Sequence, residues 1–198
     1  MLPSLAGHAL ARVPARWNHL VEKNARKVMF WGVGAPCETA YQKAMHTDLK
    51  AAENRLAIRL RNIGITEPRE IAWAAVWLQA CGYTGFQLLI EALADEQRSL
   101  HLTRDALGLD LHNVSCAFLA PAIMADVKAN GRAFLRNVRH GLFMLPFAVR
   151  ENMGLGCPVD PSFAIGGERL KNPYAEKLAL AEANGIEIGD ALWEQLHP

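Results

Sequence analysis

AIMADVKANGRAFLRNVR (residues 122–139) is the stretch on which the fold turns. Read as one helix, weakened at Gly131, it puts Lys128, Arg132, Arg136 and Arg139 at steps of four, four and three. That spacing gathers them on a single helical face, with His140 beside them. Phe134, Leu135, Val138 and Leu142 supply an opposing apolar side. Like charges four apart on a helix repel by about 0.2–0.5 kcal/mol per pair. No Asp or Glu lies between residues 127 and 150 to relieve them. The stripe therefore asks for counter-charge from elsewhere: phosphates of nucleic acid, an acidic protein partner, or acidic blocks of this same chain.

Such blocks exist. The formal net charge is only +1, yet residues 1–63 hold ten Lys/Arg against four Asp/Glu. Residues 64–130 hold four against eight, and residues 151–198 hold three against eight. Segregation of this kind marks either docking surfaces or blocks that face each other within the fold.

Upstream, Tyr41, Met45, Leu49, Ala52, Leu56, Leu60 and Ile63 repeat at helical steps from Pro36 to a stop at Gly64. Arg55 and Arg59 lie on its other faces and join the candidate anion-binding set. Thr66 caps a second helix with Pro68 in its first turn, and residues 71–78 are apolar on every side, as in a central helix. Thr84 with Gln87 predicts a capping box for a third helix, Gly85 to about Arg98. Leu102–Leu119 reads as a short helix, a turn at Gly108–Asp110, and a helix stopped near Pro121.

Leu107–Ser115 resembles the turn and second-helix entry of helix-turn-helix proteins, with a glycine in the turn and a small apolar residue six positions on. It departs at Arg104, where a small residue is expected. Leu111–Leu119 carries no Lys or Arg to read base edges. The same residues serve equally as a two-helix turn in a core.

Two Gly-x-Gly segments break the helical pattern beside a cysteine and a proline: Gly32–Cys37 and Gly154–Pro158. Glycine lets backbone approach a ligand, so these loops could frame a pocket. Cys37 in a first helical turn and Cys157 at an anion nest are the candidate nucleophiles, against the alternatives of core packing and an ordinary turn. Neither loop carries a phosphate-binding signature. The seven histidines show no metal-ligand spacing, so no metal and no cofactor is implied.

The expected fold is all-α: one domain over residues 1–198, an orthogonal bundle of six to eight helices. A surface arm covers residues 1–15, Lys27–Trp31 is a strand or a buried helix end, and residues 142–172 form an irregular Gly/Pro-containing region. No apolar run is long enough to span a membrane, no secretory signal is evident, and dispersed cysteines suit a cytoplasm. The leading function is a helical regulator or adaptor that binds nucleic acid or an acidic protein through the basic helix face. The alternatives are an enzyme or small-ligand-binding protein at the two Gly/Cys loops, and a subunit of a homo-oligomer or larger assembly.

Overall fold

The computed structural model describes residues 44–95, 101–169 and 171–196. They belong to one compact unit, Tyr41–Pro198. The arm at residues 1–15, the run Lys27–Trp31, the Gly32–Cys37 loop and the helix start at Pro36 lie outside the described residues.

The first three helices follow the sequence pattern. After a short strand β1 (Ala44–Thr47), Asp48 caps α1 (Leu49–Asn62), its carboxylate accepting from the Ala51 N–H at 2.8 Å. The helix is shorter than the periodicity implied, because residues 44–47 pair as a strand instead. It buries Ala52, Leu56, Ala57 and Leu60. Pro68 opens α2 (Pro68–Ala80), whose residues from Ile71 to Leu78 are buried except for half-buried Trp73. α3 (Gly85–Ala94) crosses α2 at Gly85, where a Cβ would sit 2.1 Å from the Ala75 carbonyl oxygen. The predicted capping box is not made. Thr84 caps nothing with its side chain, and Gln87 bonds Glu91 one turn on.

From residue 103 the all-α expectation fails. The segment builds a five-stranded mixed sheet from β2 (Thr103–Asp105), β3 (Gly108–Asp110), β4 (Arg132–Arg136), β5 (Met153–Leu155) and β6 (Phe163–Glu168), in the order β2–β3–β4–β6–β5. β2 (Thr103–Asp105) and β3 (Gly108–Asp110) form a hairpin where a short helix and a turn were expected. The helix-turn-helix resemblance is thereby overturned. Gly108, at φ +135°, lies so close to β4 that a Cβ would fall 2.1 Å from the Phe134 carbonyl oxygen. α4 (Cys116–Asn130) then runs straight through Pro121. It ends at Gly131 with φ +81°, the residue read as a mere weak point in a longer helix.

β4 (Arg132–Arg136) occupies the stretch that the sequence assigned to a basic helix. Its burial alternates: Ala133 and Leu135 point into the core, while Arg132 and Phe134 are exposed. Arg-Ala-Phe-Leu-Arg satisfies a period of two as well as one of 3.6, so a five-residue run cannot distinguish them. Pairing decides. β4 runs parallel to β3 and antiparallel to β6 (Phe163–Glu168), with Leu135 opposite Leu109 and Phe163.

Residues 142–172 are also more regular than expected. A 3-10 turn (Gly141–Phe143) leads into α5 (Met144–Arg150), and β5 (Met153–Leu155) pairs with β6. Gly-rich β6 carried no alternating pattern long enough to announce a strand. α6 (Ala175–Asn184), β7 (Ile186–Gly189) and α7 (Asp190–Leu196) complete the chain, with β7 antiparallel to β1. Trp193 anchors α7 by packing edge-on to Phe86.

Candidate functional site

The basic stripe does not exist as a helix face. Lys128 sits on α4 and pairs with Glu151 at 2.9 Å. Arg132 and Arg136 lie on the outer face of β4, flanking Phe134, which is 45% exposed. Arg136 bridges to Asp105 at 2.5 Å and Asp110 at 3.7 Å. Arg139 follows the strand and meets Asp95 at 2.5 Å. The counter-charges thus come from the acidic blocks of the chain itself. Arg55 is exposed on α1, and half-buried Arg59 keeps Nε and Nη1 buried without a hydrogen-bond partner among the described residues. The structure brings neither of them to the sheet arginines through any hydrogen bond or ion pair.

The cysteines divide similarly. Cys37 lies outside the described residues. Cys157 is exposed in the loop after β5. Cys81 is buried, which pushes its thiol up to about 11 despite nearby Lys177. Cys116 opens α4, where a helix end ordinarily favours a thiolate. Complete burial wins instead and raises its pKa strongly, with Asp160 adding to the effect. Burial thus disfavours the thiolate at both positions.

What the fold does assemble lies at the carboxyl ends of the parallel pair β3 and β4. Parallel neighbours need a crossover, and α4 supplies it. Ligands in open α/β sheets collect at such carboxyl ends. Beyond the strands the two chains stay in register through unusual backbone. Asn113 N–H donates to the Asn137 carbonyl at 2.9 Å, and Cys116 N–H to the Arg139 carbonyl at 2.8 Å. Six non-glycine residues have positive φ among the described residues, and four are here: His112, Asn113, Asn137 and His140. Such conformations cost of order 1–3 kcal/mol each for most residues, though asparagine tolerates them better.

Side chains pin these turns. Asp110 accepts from the His112 N–H at 2.9 Å and from Asn137 Nδ2 at 2.9 and 3.0 Å. The Asn137 amide, then the His112 N–H, hold the Asp110 carboxyl below its ordinary range. His112 Nε2 lies 2.8 Å from the Thr103 hydroxyl, and its ring packs against His101 with centroids 4.6 Å apart. Asp160, in the loop between β5 and β6, accepts from the N–H groups of His140 and Gly141, each at 3.0 Å. Val138 N–H donates to the Pro161 carbonyl in the same loop. The loop that begins at Gly156-Cys157 is therefore fastened to the exit of β4.

His140 is the titratable centre of this end. It is half-buried, and its Nδ1 lies 2.9 Å from the Oγ of Ser115, the buried N-cap of α4. Burial lowers its pKa and Arg139 adds to that, against the opposing pull of Asp160, Glu91 and Asp95. The imidazole is accordingly neutral at pH 7. Of the residues at this end, the sequence had singled out Arg139 and His140 for a basic helix face, and Cys157 with its glycine loop for an anion nest. Ser115 ahead of an apolar run was a legible N-cap, and Asn113 and Asn137 were legible αL formers. Their convergence was not legible, because Ser115 and His140 are 25 residues apart.

Among the described residues no group of three His, Cys, Asp or Glu side chains could hold a metal ion. No described helix is long and apolar enough to cross a membrane. The chain matches no protein-family model, no curated protein and no solved structure, so the reading of this site rests on its geometry.

Proposed function

We propose that the chain is a small-ligand-binding protein whose ligand sits at the carboxyl ends of β3 and β4, against His140 and under the β5–β6 loop. The observation that carries this reading is the gathering of four positive-φ non-glycine residues at one end of one strand pair. Costly backbone persists where surrounding structure over-determines it, and such positions cluster at ligand sites. The Asp160 clamp on two successive N–H groups supplies that determination. A basic helix face no longer supports an adaptor reading, since β4 interrupts it and three of its four cations are paired.

Titration of the full chain with inorganic phosphate and with acetate, followed by amide NMR, tests the proposal. Saturable shifts confined to residues 111–116, 137–141 and 156–162 are expected, and they should vanish in His140→Phe. Linear, unsaturated shifts for both probes, or shifts indifferent to His140→Phe, overturn it.

A further inference from the structure

Hydrogen-bond bookkeeping at Ser115 assigns a proton on His140. The Ser115 side chain is fully buried. Its Oγ accepts from the Ala117 N–H at 3.1 Å, the capping bond of α4. A hydroxyl also carries one proton, and a buried donor left without an acceptor costs about 1–3 kcal/mol. The acceptor within reach is His140 Nδ1 at 2.9 Å. In the opposite arrangement Nδ1–H donates to Oγ, and the serine proton is left in a buried site with no other acceptor among the described residues. We infer that Ser115 donates to Nδ1, so that His140 is held neutral with its proton on Nε2. His140 is then a hydrogen-bond donor through Nε2. It is not a general base there, nor a metal ligand through that nitrogen.

The charged surroundings agree with this assignment. Burial, and then Arg139, disfavour a second proton on the ring, and the opposing pull of Asp160, Glu91 and Asp95 does not reverse the net effect. Asp160 spends its oxygens on the His140 and Gly141 N–H groups rather than on the ring. Resting on the ligand-binding reading above, a further consequence is the class of ligand: one that presents an acceptor to Nε2–H, a carbonyl, carboxylate or phosphate oxygen. Ser115 is a positioning residue, acting through His140.

Long-range proton–nitrogen correlation of the imidazoles at pH 7 tests the assignment in the wild-type chain. A bare Nδ1 and a protonated Nε2 are expected for His140, and the reverse tautomer overturns the proposal. A second measurement is the titration midpoint of His140 in Ser115→Ala. Removing a donor to the neutral ring should raise that midpoint by about 0.5–1 pH unit, the equivalent of one ordinary hydrogen bond. A midpoint that falls means that His140 was the donor, and the inference is wrong. Ser115→Thr keeps the hydroxyl and should leave the midpoint in place. The ligand reading can fail separately: phosphate and acetate can leave the site untouched while the tautomer stands.

Discussion

The helices α1–α3 and the segment from β2 to β6 contribute buried side chains to one hydrophobic core, but they encode their parts of it differently. In α2 the apolar run from Ile71 to Leu78 is long enough that a buried helix is the simplest reading, and it is buried. In β4 five residues satisfy two periods at once, and partners 28 and 31 residues away settle the matter: Leu135 faces Phe163 on β6, and Arg136 is bridged to Asp105 of β2. Local patterning thus decides the first region, and long-range pairing decides the second.

If that contrast concerns encoding and not strength, truncating either part of the core should cost the same. Leu78→Ala in α2 and Leu135→Ala in β4 remove fully buried side chains. Each is expected to lose about 2–5 kcal/mol in denaturant unfolding. A loss under about 1 kcal/mol for Leu135→Ala alone would mean that the sheet is not part of the same core.

Pro121 sharpens the comparison from the other side, as the point where local preference is overruled. Within a helix interior proline costs about 3 kcal/mol. Pro121→Ala should therefore stabilise the chain by up to about 3 kcal/mol, seen as a rise in Tm. No gain would mean that the helix breaks there after all, as the sequence alone suggests.

The next effect is smaller and depends on pH. The folded state depresses the pKa of His140, chiefly by burial. Below about pH 6.5, the ordinary histidine value, the unfolded chain takes up a proton that the folded chain resists. Stability from this group is thus complete above about pH 6.5 and declines as pH falls toward the depressed value. His140→Gln should flatten the pH dependence of unfolding just below about pH 6.5, by at most about 1.4 kcal/mol per pH unit. An unchanged slope would mean that His140 is not held neutral.

The smallest effect is expected on the outer face of β4. Phe134 is exposed there, so Phe134→Ser should change stability by under about 0.5 kcal/mol, against the large loss at its strand neighbour Leu135. A cost comparable to Leu135→Ala would show that this face is covered.

The candidate site was legible in fragments. Ser115 as a cap and Asn113 and Asn137 as left-handed residues each have a local signature. The basic stripe was legible too, and misleading, because helical spacing was assumed across Gly131. Arg132 and Arg136 do share a face, since residues four apart also share one on a strand. Lys128 and Arg139 do not belong to it. Cys157 was singled out for its glycines, whereas the residue that fastens its loop to β4 is Asp160, through backbone N–H groups that no sequence pattern advertises.

By itself the sequence determined the elements whose stabilisation is local or periodic: α1 from its Asp48 cap onward, the buried α2, and the turn into α3. Only the tertiary structure decided that residues 103–105, 108–110, 132–136, 153–155 and 163–168 are strands, that Gly131 ends α4, and that Ser115, His140 and Asp160 meet. A strand satisfies its backbone hydrogen bonds with partners distant in the chain. The information that makes it a strand is therefore shared between segments, and no single segment states it.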